Sequence, residues 1–324
     1  MEVKMKPFLL KPAIKDYIWG GTRLREEFGK ESDLDRLAES WELSCHPDGE
    51  GFIASGELEG MSFAKFAQEH PEALGEKCTQ FDTFPVLIKL IDARGDLSVQ
   101  VHPDNDYARK YENDNGKTEM WYIVDCEEGA ELIYGFKDKL TKEQFRAAIA
   151  DNTLLEYVNR VPVKKGDVFF IKPGTLHAIG KGILIAEIQQ SSNVTYRVYD
   201  YGRLGADGKP RELHVEKAIE VTSLDPSPEQ QTNGAENIGG SVSVQKLASC
   251  EYFDVEKYEI GGGELRLENR ADSFRHILVI DGECEVFCGG EQFLTAKKGS
   301  GVFVPAGTDN CCIKGNCTII ITVV

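Results

Sequence analysis

KKGDVFFIKPGTLHAIGKG, residues 164–182, returns as KKGSGVFVPAGTDNCCIKG, residues 297–315. The two stretches align without a gap on Lys164/Lys297, Lys165/Lys298, Gly166/Gly299, Gly174/Gly307, Thr175/Thr308, Lys181/Lys314 and Gly182/Gly315. Each reads as a short strand, a Gly/Pro-centred turn and a second strand. Upstream, EMWYIVD at 119–125 resembles RHILVID at 275–281. A repeat that keeps its order in this way predicts two related β units. The first copy is 23 residues longer between its blocks (Glu119 to Lys164 against Arg275 to Lys297), about the length of a helical excursion around TKEQFRAAIA at 141–150.

Outward from the repeat, short strand-like runs dominate: Pro85–Ile91, Leu97–Val101, Met120–Val124, Ala130–Tyr134, Val168–Ile171, Ile183–Gln189 and Thr195–Tyr199. Gly, Pro, Asp and Asn punctuate them, the pattern of a sandwich or barrel. Helical pattern is confined to Ser62–Glu69, Thr141–Ala150 with Thr141 as N-cap, and Leu213–Val221. LDPSPEQQTNGAENIGG at 224–240 is polar and turn-rich and reads as a linker. The expected fold is mainly β. Residues 1–223 form one β-barrel or jelly-roll unit with a small helical insertion at about 137–158, and 241–324 form a second.

The chain of 324 residues is 41% apolar, enough for a sizeable core, and carries a formal charge of −17. That charge argues against nucleic acid and anionic membranes as partners, but not against a small anionic substrate in a locally cationic cleft. The only apolar run near the start, Phe8-Leu9-Leu10, is too short for a secretory signal, and no stretch reaches the length of a membrane span. A cytoplasmic protein, monomeric or homodimeric, is expected. Nine cysteines in such a chain read as free thiols. The cluster Cys284, Cys288, Cys311, Cys312 and Cys317 lacks a CxxC knuckle and reads as buried thiols rather than a second zinc site.

Chemistry concentrates in the first unit. In LSVQVHP, Gln100 and His102 are two apart and share a strand face, and Pro103 ends the strand. Glu119 opens the next strand run, and His177 follows the PGT turn. Two imidazoles, a carboxylate and an amide oxygen suit one borderline divalent ion such as zinc. His177 aligns with Asn310 and Glu119 with Arg275, so the second unit lacks two of these ligands. His46, His70, His214 and His276 show no such pattern and read as ordinary core or surface residues.

GDVFFIKPGTLH resembles the second cupin motif, with its proline one place late. DYIWGGTRL at 16–24, ESWELS at 39–44, PVLIKLIDARGDLSVQVHPDNDYA at 85–108, GKTEMWYIV at 116–124, PGTLHAIGKG at 173–182 and NVTYRVYDYGR at 193–203 resemble, in order, the type I phosphomannose isomerases in their short bacterial form. The resemblance implies two cupin units, one Zn²⁺ per chain on Gln100, His102, Glu119 and His177, and interconversion of mannose 6-phosphate and fructose 6-phosphate. It implies catalytic roles for Arg197 and Lys117 and substrate contacts from Ser98, Arg203 and Trp19. Arg203 stands where longer members carry lysine, and Ser192 where they carry aspartate, so a base at the latter position does not transfer. Lys117 is one candidate base instead. Two other readings compete. A cupin oxygenase usually has a histidine where Gln100 stands. A non-catalytic sugar-binding bicupin would not need an intact ligand set.

Overall fold

Strand limits in the computed structural model, which describes residues 5–205, 208–227 and 234–324, follow the turn punctuation of the sequence. The run VLIKLIDA forms strand Val86–Ala93, buried along its whole length. It pairs antiparallel with Glu39–Leu43 on one side and Ile183–Gln190 on the other, and the latter pairs with Glu119–Cys126. With Ala13–Lys15 and Val168–Ile171 these make a six-stranded sheet. Both of its faces are covered, so its central strands are apolar nearly throughout rather than alternating.

A five-stranded sheet faces it, in the order Tyr196–Tyr199, Val99–Val101, His177–Ile179, Glu131–Phe136, Val158–Pro162. Ile91, Trp121, Ile123 and Ile185 of the first sheet meet Leu132, Tyr134 and Ile179 of the second. Alternate residues of the six-stranded sheet, including Ile88, Leu90, Tyr122 and Ala186, point the other way. They pack on Leu278 and Phe303 of a nine-stranded C-terminal sheet and on Phe253 and Phe274, which directly precede two of its strands. That sheet wraps a core of its own around Ile277, Val279, Val286, Ile313 and Ile319. The fold is mainly β as expected, but all three sheets run as open strand orders and none closes as a barrel among the described residues.

The expected helices form where their caps predict. The Ser62 hydroxyl accepts from the Lys65 amide to start Phe63–Glu69, and Thr141 with Gln144 makes a capping box on Lys142–Ala150. The latter, with Leu154–Tyr157 and Val215–Val221, covers the outer face of the five-stranded sheet through Phe145, Ala148, Leu154 and Ala218. The third helix begins at Val215, two residues after the expected Leu213. His214, the residue before it, exchanges hydrogen bonds with the Arg197 backbone: its amide donates to the carbonyl at 2.8 Å, and its Nδ1 accepts from the amide at 3.2 Å.

Part of the linker stretch is ordered. Glu236–Gly239 pairs with Val242–Ser249 at the edge of the nine-stranded sheet, while 228–233 lie outside the described residues. The same sheet takes in the N-terminal strands Phe8–Lys11 and Phe52–Ile53, the former paired with Gly301–Val304. Short N-terminal runs of this kind carry no periodicity of their own; Phe52–Ile53 pairs with Phe8–Lys11, whose other partner lies almost a whole chain away. The expectation that every thiol is free needs one correction. Cys288 and Cys311 sit directly opposite on neighbouring strands, Cα atoms 4.1 Å apart, and form a disulfide. Cys284 and Cys317 stay free and buried.

His276 belongs to the layer between the six- and nine-stranded sheets, close to the buried Lys30–Glu42 ion pair. It is fully buried, and neither ring nitrogen has a hydrogen-bond partner. Burial, with Lys30 adding to it, pushes its pKa down to about 3. The unfolded chain takes up the proton first, so the neutral ring's contribution is complete above the ordinary pKa and is lost as pH falls from there. At pH 5 this amounts to about 2 kcal/mol. His276→Leu is expected to lessen the loss of unfolding free energy between pH 7 and pH 5 by that amount in denaturant titrations. Parallel curves for the two proteins would contradict it.

Candidate active site

One end of the core between the five- and six-stranded sheets is polar. His102 follows strand Val99–Val101, where Pro103 stops the ladder and the Asp104 carboxylate caps helix Asn105–Tyr111 by accepting from the Tyr107 amide. The Lys117 amide donates to the Pro103 carbonyl at 3.0 Å, tying that segment to the same turn. The approach is close enough to require glycine at 116: a Cβ there would lie 2.4 Å from the Asn105 nitrogen. Glu119 begins its strand, and His177 begins the strand that sets it opposite Gln100. The turn before His177 places Gly174 at φ +84°, where its amide donates to the His102 carbonyl at 2.9 Å.

His102, Glu119 and His177 are all buried, and their possible ligand atoms lie within 4.8 Å of one another. Each imidazole donates Nδ1–H to a backbone carbonyl at 2.8 Å, His102 to Val194 and His177 to Thr175. That leaves both Nε2 atoms as lone-pair donors to whatever stands between them. They face each other at 3.1 Å, with Glu119 oxygens 3.3 Å from His102 and 3.8 Å from His177. Neither Glu119 oxygen accepts a directed hydrogen bond. Two lone pairs and a carboxylate so placed repel one another unless a cation lies among them.

The Lys117 ammonium stands in for that cation, 2.5 Å from Glu119 Oε1 and 3.3 Å from His102 Nε2. The donor spacings bracket the edge of about 3.4 Å expected for a tetrahedron of ligands at about 2.1 Å. The residues therefore fit a divalent ion. Gln100 completes the group, its amide nitrogen 3.5 Å from His177 Nε2. Ligation through its oxygen requires the amide turned by half a rotation. Burial, reinforced by Lys117, pushes the His102 pKa down to about 3, and burial lowers that of His177. Burial alone would raise that of Glu119, but Lys117 and His102 outweigh it and hold the carboxyl well below its usual range. All three thus favour the forms that bind metal.

A cleft of about 280 Å³ opens beside this cluster. Gln100, Ser98, Lys117, Trp19, Tyr17, Arg197 and Arg211 are among the residues that line it, and Arg197 is the strand partner of Gln100. The expected residues Ser98, Trp19, Lys117 and Arg197 therefore share one cavity with Gln100. Arg197 donates from Nε to Ser98 Oγ at 3.2 Å and from Nη1 to the Glu212 carbonyl at 3.0 Å. Burial, and then the charge of Arg211, lower its pKa. Arg203 is not among the lining residues; it is engaged by Asp200 and by the Asp96 carbonyl.

The sequence reading missed a second buried charge group in the same wall. Lys89 lies 3.3 Å from Glu187 and 3.5 Å from Glu39, and Trp121 and Trp41 donate their indole N–H to those two carboxylates. Burial, then the nearby Glu119, raise the Glu187 pKa, while for Lys89 the two carboxylates outweigh burial and raise it. The available signal was a charge at one inward position of each apolar strand, VLIKLI and ILIAEI. Lys89 and Glu187 prove to be register partners.

Two family models match the chain: the catalytic domain of type I phosphomannose isomerase over residues 8–136, and the cupin domain of mannose-6-phosphate isomerase over 243–324. Among curated proteins it is similar to mannose-6-phosphate isomerase ManA of Bacillus subtilis, 39% identical over 98% of either chain. It is also similar to mannose-6-phosphate isomerase of Streptococcus mutans, 38% identical over 93% of this chain and 92% of that one. A crystal structure of the mannose 6-phosphate isomerase from Bacillus subtilis superposes with a TM-score of 0.92 at 36% identity, covering 99% of this chain and all of that one.

Proposed function

The chain belongs to the type I phosphomannose isomerase family, and from that premise we propose that it interconverts mannose 6-phosphate and fructose 6-phosphate with one zinc ion bound. The observation that carries the metal part is the pair of Nε2 lone pairs facing each other at 3.1 Å beside a buried carboxylate that is ion-paired to Lys117. His102, Glu119, His177 and Gln100 would hold the ion, which would supply Lewis-acid stabilisation to negative charge developing on the sugar oxygens.

The reaction moves a proton between C1 and C2 of the open-chain sugar through an enediolate. Lys117, which lines the cleft beside Glu119, is the proton carrier in this account. Arg197 sets a fixed positive charge beside the developing enediolate, in a cleft partly closed to water by Trp19 and Tyr17, where such charge is worth most. Ser98 bridges the two ends, its hydroxyl between Arg197 Nε and Gln100 Oε1. The phosphoryl group lies toward the cationic end and serves as a handle whose binding energy positions the reacting carbons.

We also propose the chain-order division into a metal-binding cupin unit at 1–223 and a cupin unit at 241–324 without the ligands. Support comes from the repeat, which puts Arg275 and Asn310 at the places of Glu119 and His177. The test of the reaction is NMR of mannose 6-phosphate incubated with the protein in deuterated water. Fructose 6-phosphate carrying solvent deuterium at C1 supports an enediolate that exchanges its proton. Transfer without any deuterium would contradict a solvent-exchanging carrier. A folded, metal-loaded protein that forms no fructose 6-phosphate would overturn the activity itself.

A further inference from the structure

A second cavity, of about 360 Å³, lies in the C-terminal sheet, across strands Asp254–Leu267, Cys311–Val323 and Arg275–Cys288. Leu267, Ile321 and Val323 form its apolar lining and belong to the core around Ile277 and Val279. In the strand register its place is that of the active-site cleft. Arg275, which aligns with Glu119 in the repeat, pairs with Val304; Glu119 pairs with Ile171, which aligns with Val304. Ile321 faces both Ile277 and Glu256, as Glu187 faces both Trp121 and Lys89. Arg275 thus stands where the cleft has Glu119, Glu256 where it has Lys89, and Ile321 where it has Glu187. Asn310, in the place of His177, accepts from the Asn269 amide at 2.7 Å and ties down the turn before Arg270.

The charge at these positions is reversed. The Arg275 guanidinium is half-buried and donates from Nη2 to the Glu268 carbonyl at 2.7 Å, with no carboxylate partner among the described residues. Arg270 also lines the cavity, oriented by Asp272, which accepts from its Nε at 2.8 Å and from its Nη2 at 3.2 Å. Burial, and then the charge of Arg270, lower the Arg275 pKa. A guanidinium partly withdrawn from water beside a like charge is unfavourable until an anion joins it. Glu256 and Tyr258 supply the other polar lining, the Tyr258 hydroxyl donating to Glu256 Oε2 at 2.6 Å. Glu256 Oε1 accepts from no described group. A carboxylate oxygen and a phenol offer an acceptor and a second polar contact to hydroxyl groups. The volume is that of a small-molecule site.

We infer that this cavity is a second ligand site, which takes a monosaccharide-sized polyol bearing one carboxylate or phosphate group. Arg275 and Arg270 hold the anionic group, Glu256 and Tyr258 hold hydroxyls, and the apolar lining meets the carbon skeleton. The site binds without isomerising, since it has no counterpart of Glu119 or His177.

Equilibrium dialysis of the metal-loaded full chain with labelled glucuronate and labelled glucose 6-phosphate tests this, alongside turnover of mannose 6-phosphate. At least one probe is expected to fill a site on the parent whose affinity falls roughly 10- to 100-fold in Arg275→Gln, the worth of a charge-assisted contact. kcat and KM for mannose 6-phosphate stay at the parent values in that variant. Glucuronate alone behaving in this way assigns a sugar acid, glucose 6-phosphate alone a sugar phosphate, and both together their shared chemistry. Glucose 6-phosphate held equally by parent and Arg275→Gln, with no glucuronate bound, reports the active-site cleft only and overturns the inference. Binding of neither probe overturns it as well. If Arg275→Gln fails to fold, Arg270→Gln decides: it must weaken the same probe, and unchanged binding contradicts the site. Failure of the isomerase reading is distinct, because the parent itself would then not turn over mannose 6-phosphate.

Discussion

Glu119→Gln is expected to bind no stoichiometric metal and to lose turnover on the order of 10³-fold, the worth of several kcal/mol of charge stabilisation in the transition state. The substitution keeps the shape of the side chain and removes its charge. In the parent, a fully buried carboxylate, two inward lone pairs and the Lys117 ammonium balance one another. Replacing the carboxylate leaves the ammonium buried without its counter-charge and gives a metal ion two neutral nitrogens and two amides. The site should then prefer an empty, rearranged state. Elemental analysis after gel filtration, together with the melting temperature before and after chelation, checks this. The parent should lose stability on chelation and regain it with zinc, while the variant responds to neither. A Glu119→Gln protein that keeps its ion and its activity would remove Glu119 from the site. His177→Ala should behave in the same way, because its Nε2 is the second inward donor.

Arg197→Gln should act on a different quantity. Its guanidinium lines the cleft without a carboxylate partner among the described residues and is lowered in pKa by burial and by Arg211. A fixed charge of this kind, aimed where negative charge develops, typically carries 10²- to 10³-fold in kcat. The expected outcome is a fall of about that size in kcat, with metal content and melting temperature near the parent values. A change confined to KM would move Arg197 from the reacting carbons to the phosphoryl group.

Much of this arrangement is legible in the residues. The seven strand-like runs read in the first unit match strands to within two residues, because turns of Gly, Pro and Asx type end ladders for local reasons, whereas Ala13–Lys15, Glu39–Leu43 and Val158–Pro162 were not legible. The four metal-side residues could be assembled because Gln100 lies on a strand that His102 directly follows, and the other two open strands of their own. What could not be read depends on pairing across long stretches of chain. Lys89 and Glu187 become neighbours only through the register of Val86–Ala93 with Ile183–Gln190. Phe8–Lys11 is a strand only because Gly301–Val304 offers it an edge. Arg211 displaces Arg203 at the cleft because a loop folds back on Tyr196–Tyr199, and no local spacing encodes that return. The Cys288–Cys311 link likewise follows from opposed strand positions rather than from cysteine spacing.

The central claim is that a metal ion on His102, Glu119 and His177 drives the isomerisation. Its most direct test is the rate of fructose 6-phosphate formation from mannose 6-phosphate, measured on one preparation before chelation, after chelation and after stoichiometric zinc. The account predicts turnover that falls with metal content and returns with one ion per chain. Undiminished turnover in protein shown to be metal-free would contradict it.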